Sequence, residues 1–211
     1  MAEPGIAAVA FDIGGVLLDW NPRHLYRKLF TDPAGMEEFL GRICTPQWHH
    51  AHDLGADVER SCRELAGSHP AQADLIMAWA RRGEEMIAGQ LDQGVEVLAE
   101  VKAAGVPCYA LSNMEADTFA VRRSRYRFFD LFDGCVISGV ERVAKPDRRI
   151  FQILLSRYGL DPSSTVFVDD TEVNVEAARA LGIVAVRYAG ASQLRRDLRE
   201  RGLAIGSARA G

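Results

Sequence analysis

The sequence predicts an α/β fold, a doubly wound parallel sheet with a helical insert after its first strand. Three observations lead there. From about residue 91 onward, short apolar runs alternate with amphipathic stretches, the rhythm of strands paired in parallel through helical crossovers. These runs are apolar throughout, as in a sheet covered on both faces. Between residues 20 and 90 the alternation stops and only helical spacing is read.

The elements follow in order. IAAVAFD (6–12) is a buried strand bounded by Pro-Gly and Gly-Gly. Asn21-Pro22 starts a helix, with asparagine as N-cap and proline in the first turn. ADVERSCRELAG (56–67) and the stretch 70–89 have helical spacing, and no strong strand is expected between 20 and 90. VEVLAEVKAAG (95–105) is a helix stopped by Gly105, and VPCYALS (106–112) is a strand. EADTFAVRRSR (115–125) is a helix, GCVIS (134–138) a strand, and DRRIFQILLSRYG (147–159) a helix with a glycine stop. TVFVDD (165–170) is a strand and EVNVEAARALG (172–182) a helix. IVAVRY (183–188) is the last strand and SQLRRDLRERG (192–202) the last helix. The tail IGSARAG (205–211) is expected to be loose. The expected division is a core of 1–19 and 91–211, with a helical cap, 20–90, inserted between them.

The bulk numbers narrow the function. A chain of 211 residues is enough for one good-sized domain, or one domain with a small insert. A hydrophobic content of 48% and a charged content of 26% are ordinary for a globular protein. The net charge of −4 argues against a nucleic-acid or anionic-membrane partner. Arg122, Arg123, Arg125 and Arg127 read as a solvated helix face. The start MAEPGIAAVAFD has no basic region followed by a long apolar core, so no secretory signal is expected. No apolar run approaches the roughly 20 residues of a membrane span. The four cysteines show no CxxC pair or zinc spacing; Cys108 and Cys135 are expected as buried thiols, and the cytoplasm is the expected setting.

Three predicted strands end in polar residues: Asp12, Ser112-Asn113 and Asp169-Asp170. Ligands bind beyond the carboxyl ends of parallel strands, so these residues should meet at one edge. Three carboxylates brought together repel. A divalent cation relieves that repulsion, and carboxylate oxygens with a carbonyl and waters suit Mg²⁺. Lys145, in VAKPD before a helix, adds a mobile cation, Ser112 a hydroxyl, and nearby helix N-termini add N–H groups. This set describes a phosphoryl-transfer site in which Asp12 attacks phosphorus. Taken singly, each residue also has a plain structural reading. Asp12 caps a turn, Ser112-Asn113 makes one, Lys145-Pro146 sits in a surface loop, and Asp169-Asp170 caps the next helix.

Over nearly its whole length the chain resembles the haloacid dehalogenase superfamily. FDIGGVLLD matches the first motif, LSN the second, AKPD with the following IF the third, and VFVDDTEVN the fourth. FFDLFDGCVISG between the second and third is also typical. The resemblance implies a Rossmann-like core with a cap inserted after the first motif. It implies Asp12 as a nucleophile that forms an aspartyl-phosphate. Mg²⁺ would be held by Asp12, the backbone carbonyl of Gly14, Asp170 directly, and Asp169 directly or through water. Ser112, Asn113 and Lys145 would hold the phosphoryl group. The implied activity is hydrolysis of a small phosphorylated metabolite, with a sugar phosphate as first choice.

One position departs from the pattern. The family's first motif is Asp-x-Asp, and its second aspartate is the general acid and base; this chain has Gly14. Glycine still offers a carbonyl to a metal but transfers no proton, and losing a positioned acid/base is expected to lower rate on the order of 10²–10⁴-fold. A phosphatase tolerates this when its leaving group needs little help, as in a sugar 1-phosphate. The most similar branch, which includes α-D-glucose-1-phosphate phosphatase, also carries glycine there. A catalytically weak or inactive binding protein is the alternative. A metal-independent haloacid dehalogenase is another, and Asp169-Asp170 argues against it. Asp19 reads as a brace for the turn before Asn21-Pro22, and Asn174 as a brace for the fourth-motif loop. His24 and His69 read as solvated surface residues. In WHHAHD (48–53) the three histidines do not share one helix face, so a metal set is not expected there. Trp48 and one or two of the histidines, His52 among them, are expected at the cap–core junction, against the substrate's leaving group, with a plain structural role as the equal alternative.

Overall fold

The computed structural model describes residues 5–206. Seven strands are present among them: β1 (Ala8–Phe11), β2 (Leu18–Trp20), β3 (Ile87–Gln90), β4 (Cys108–Ser112), β5 (Gly134–Ile137), β6 (Thr165–Asp169) and β7 (Val184–Arg187). Five of them form one sheet in the order β5-β4-β1-β6-β7, every neighbouring pair parallel. The chain runs from β1 outward to β5, then returns to β6 on the other side of β1. The expected doubly wound sheet is therefore present, with its switch point at β1.

Five helices lie between β2 and β3: α1 (Pro22–Tyr26), α2 (Pro33–Arg42), α3 (Pro46–Asp53), α4 (Val58–Ser68) and α5 (Ala73–Arg81). Six more wrap the sheet: α6 (Asp92–Ala103), α7 (Ala116–Arg125), α8 (Ser138–Glu141), α9 (Arg148–Tyr158), α10 (Glu172–Arg179) and α11 (Ala191–Glu200). Strand side chains alternate between two cores. Val9, Phe11, Ala110 and Val168 pack with Leu98 of α6 and Leu194 of α11 on one face. Ala8, Ala10, Leu111 and Phe167 pack with Phe151 of α9 and Val175 of α10 on the other. Both faces are buried, which is why the strands read as unbroken apolar runs. Caps fix the helix ends as the sequence predicts. The Asn21 side chain accepts from the Arg23 N–H at 3.0 Å, and Gly159 closes α9 in the left-handed region at φ +63°.

The insert has its own apolar cluster, including Leu25, Tyr26, Phe39, Ile76 and Trp79. The helical reading of 70–89 needs correction. A 3₁₀ turn at Pro70–Gln72 precedes α5, another at Gly83–Met86 follows it, and the chain then extends into β3. β3 pairs antiparallel with β2, with Leu18 opposite Gln90 and Trp20 opposite Ile87. The chain leaves the core through one strand of this ribbon and returns through the other. The expected loose tail also needs correction at its start: Ile205 is buried, and its carbonyl accepts from Arg199 Nε at 2.7 Å. Residues 207–211, also expected to be loose, and residues 1–4, the beginning of the stretch 1–12 in which no secretory signal is expected, lie outside the described residues. Cys44, Cys62 and Cys108 are buried free thiols, and Cys135 is half-buried. No helix among the described residues is long and apolar enough to cross a membrane.

Candidate active site

The sheet's carboxyl edge gathers the strand-end residues. Asp12 is the first residue beyond β1, and its N–H donates to the Val168 carbonyl of β6 at 2.8 Å. Its Oδ1 accepts from the Ile13 N–H at 2.7 Å and lies 2.9 Å from Lys145 Nζ. Among the described residues no donor reaches Oδ2. Asp12 thus has one pinned oxygen and one free one.

Lys145 Nζ is buried between two carboxylates, donating to Asp169 Oδ2 at 2.6 Å. Burial alone would lower its pKa, but Asp12 and Asp169 outweigh that and hold it above the ordinary lysine range. The Asn113 carboxamide grips the Lys145 backbone from both sides. Its Nδ2 donates to the Lys145 carbonyl at 3.0 Å, and its Oδ1 accepts from the Lys145 N–H at 2.8 Å. Asn113 therefore positions the lysine. Ser112 ends β4 beside it, on the wall of the same cleft.

Both oxygens of Asp169 are committed. Oδ1 accepts from the Thr171 N–H at 2.8 Å, Oδ2 from Lys145, and Asn174 Nδ2 reaches each at 3.1 Å. Asp170 is exposed and accepts only from the Thr171 hydroxyl, at 3.2 Å, among the described residues. Its carboxylate leans over Gly15, which has φ +71°, and a Cβ there would overlap it. Asp12, Asp169 and Asp170 each present an oxygen within 4.8 Å of the others. Burial, with Asp169 adding to it, pushes the Asp12 carboxyl up to about 7 against the pull of Lys145. Burial and then Asp169 likewise raise Asp170.

A cleft of about 770 Å³ opens above this floor, within the range that holds small ligands. It is also lined by Trp20, His49, Asp53 and Trp79 of the insert, by Glu115 at the start of α7, and by Arg122 of α7. His49 stacks on Trp20 with ring centroids 5.1 Å apart. Burial, then His52 and Arg122, pulls its pKa down to about 4, so the imidazole is neutral.

Trp48 and His52 do not line this cleft. His52 is fully buried, with the Trp48 ring 4.5 Å away edge-on, and Trp48 packs against Trp79 at 5.2 Å. The reason is helical phase. Residues 49 and 53 share one face of α3, and residues 48 and 52 share the stripe turned into the insert. Arg122 also departs from its expected solvated face. It is 9% exposed, pairs with Glu84 at 3.4 Å and lines the cleft, whereas Arg123, Arg125 and Arg127 are exposed. The wall residues His49, Asp53, Glu115 and Arg122 were not found by motif. The one available signal was the four-residue spacing of His49 and Asp53. Asp19 braces the turn as expected, 3.0 Å from His24 Nε2, which leaves His24 half-buried rather than solvated; His69 is half-buried too.

Comparison with known proteins places the chain in a family. The haloacid dehalogenase-like hydrolase family matches residues 6–182. A sesquiterpene phosphatase of Aspergillus oryzae is 28% identical over 193 residues, covering 92% of this chain and 95% of that protein. A drimenol cyclase of Aspergillus calidoustus is 33% identical over 199 residues, covering 92% of this chain, which spans only 36% of the cyclase. The crystal structure of a haloacid dehalogenase family enzyme from Bacteroides thetaiotaomicron superposes with a TM-score of 0.69 at 22% identity, covering 92% of this chain and 100% of that one. A mutant of that enzyme, in complex with magnesium and inorganic phosphate, superposes with a TM-score of 0.65 at 22% identity, covering 87% and 94%.

Proposed function

Since this chain belongs to the haloacid dehalogenase-like hydrolases, we propose that it is a Mg²⁺-dependent phosphatase that passes the phosphoryl group of a small metabolite through Asp12 to water. The observation that carries this reading is the asymmetry of Asp12. One oxygen is held by the Ile13 N–H and Lys145, and the other is free at the floor of the cleft. A carboxylate so oriented is a positioned nucleophile.

The residues fit a divalent cation. A buried Asp12 with a raised pKa and an Asp170 with a largely uncommitted carboxylate are groups whose ionised forms a nearby cation would stabilise. Asp12, Asp170 and the carbonyl of Gly14 would hold it, with Asp169 behind them anchoring Lys145 and the loop. Bound there, Mg²⁺ would supply charge to the oxygens of the phosphoryl group. Lys145 and the Ser112 hydroxyl would hold those oxygens as charge develops, and Asn113 would keep Lys145 in place. The Trp20–His49 stack offers a flat wall for a sugar ring, which supports a sugar phosphate as the first substrate class. The likeness to a sesquiterpene phosphatase makes prenyl phosphates the class to run beside it.

The test is phosphate release from sugar phosphates, prenyl phosphates, other alkyl phosphates and p-nitrophenyl phosphate, with Mg²⁺ and with EDTA. A halide readout on chloroacetate runs alongside. The expected result is Mg²⁺-dependent release that disappears in Asp12→Asn while the fold persists. Release that survives that substitution would overturn the nucleophile. Silence on every phosphate would overturn the phosphatase.

A further inference from the structure

Gly14 leaves the site without a proton carrier on its own loop. A Cβ built on Gly14 meets nothing within 4 Å, so the space above it is open cleft. A group that replaces the missing acid must reach this space from elsewhere. The other carboxyl groups along the cleft are Asp53, Glu84, Glu85, Glu115, Asp117 and Asp170. Glu84 pairs with Arg122, and Glu85 with Arg82 and Lys28. Glu115 accepts from the Thr118 hydroxyl at 2.7 Å, Asp117 is exposed, and Asp170 belongs to the cation site.

Asp53 differs from all of these. It ends α3, lines the same cleft as Asp12, Ser112 and Lys145, and is 9% exposed. No donor among the described residues is within hydrogen-bond distance of it. The nearest cationic-capable atoms are His49 Nε2 and His50 Nδ1, each 3.8 Å away. A carboxyl buried without a donor favours its neutral form, which is what a general acid must be before it acts.

We propose that Asp53 is the general acid and base of this site, standing in from the insert for the side chain that Gly14 lacks. The proposal rests on the phosphatase reading. In the first step an Asp12 oxygen bonds to phosphorus and the bond from phosphorus to the leaving oxygen breaks. That oxygen takes the Asp53 proton and departs as an alcohol. In the second step water attacks the phosphorus of the aspartyl-phosphate and gives its proton to the Asp53 carboxylate. The bond to Asp12 breaks, orthophosphate leaves, and Asp53 is again protonated. The sum is phosphomonoester and water to alcohol and phosphate.

Several groups bear on the Asp53 proton. Burial and then Glu115 push its carboxyl up to about 7, against Lys145 and Arg122, while His49 is neutral at that pH. A carrier poised there serves both steps near neutrality.

The experiment compares an alkyl phosphate, whose alkoxide needs a proton, with p-nitrophenyl phosphate, whose phenolate leaves without one. In Asp53→Asn, kcat/KM on the alkyl phosphate is expected to fall by about 10²–10⁴-fold. On p-nitrophenyl phosphate it falls by less than about tenfold, and the second step slows, so a burst of one p-nitrophenolate per site precedes slow turnover. Asp53→Glu is expected to recover part of the alkyl activity. In the wild type, kcat/KM on the alkyl substrate falls as pH rises above about 7, and Asp53→Asn loses that limb. Equal losses on both substrates, or an alkyl pH limb that survives in Asp53→Asn, would overturn the proposal. A wild type that hydrolyses neither substrate would instead overturn the phosphatase reading, and the proposal with it.

Discussion

Replacing Asp53 by asparagine should make the protein more stable at pH 8 even as it lowers alkyl phosphate turnover. The carboxyl stands near 7 in the fold against an ordinary 3.8, with burial as the largest cause. The folded state therefore holds this proton more tightly than the unfolded chain does. Below about 3.8 the group is neutral in both states and contributes no pH dependence. As pH rises from there to about 7 the unfolded chain ionises and the buried carboxyl resists, so stability falls; above about 7 the loss is complete. At 1.36 kcal/mol for each pKa unit, the full loss is at most about 4 kcal/mol. Water entering from the cleft reduces it to about 1–3 kcal/mol. Asparagine keeps the size and carries no charge, so it escapes the loss. The assay is urea unfolding at pH 5 and pH 8, followed by the fluorescence of Trp20, Trp48 and Trp79, all in or beside the insert. Part of that loss has already occurred at pH 5, so the advantage of Asp53→Asn over wild type should grow by about 0.5–2 kcal/mol between the two pH values. An advantage that does not grow, or a variant less stable than wild type at pH 8, would mean that Asp53 is ionised and held by a partner, and the argument for its protonated form would fail.

Two further outcomes bear on the floor of the site. Gly14→Asp projects into open space, so it should leave thermal unfolding near wild type and restore alkyl phosphate turnover at least about tenfold to Asp53→Asn; a folded double variant without recovery would show that position 14 does not face the leaving oxygen. Asp170→Asn should weaken Mg²⁺ at least about tenfold in calorimetric titration, and an unchanged titration would remove Asp170 from the cation site.

The parts of the molecule legible in the sequence are those set by local chemistry. β1, β4 and β6 are apolar runs that end where polar residues begin, and parallel pairing brings those ends together whatever lies between them. Asn21 and Gly159 are caps whose meaning is carried by one residue each. What escaped depends on partners distant in the chain. β3 is four residues that extend because β2, nearly 70 positions earlier, offers an edge. The inward face of α3 is fixed by packing against Trp79 of α5, so Pro46 marks the helix start without revealing that 49 and 53, rather than 48 and 52, meet the cleft. Arg122 sits in a run of arginines, and only Glu84, 38 positions earlier, sets it apart from its exposed neighbours.

The place of Asp53 ties chemistry to the position of the insert. An acid at position 14 would ride on the loop that carries Asp12, held by the Asp12–Val168 hydrogen bond at the sheet edge. An acid on α3 belongs to an apolar cluster distinct from both sheet cores. The β2–β3 ribbon and the Arg122–Glu84 pair are among the contacts that relate that cluster to the floor. Attack by Asp12 needs only the floor, whereas protonation of a poor leaving group also needs the wall at the right distance. Substrates that leave unaided are then insensitive to how the insert sits, and substrates that need the proton are selected by it. Substrate choice and proton transfer would thus share one wall, which gives a physical reason for a chain to dispense with the carboxyl at position 14.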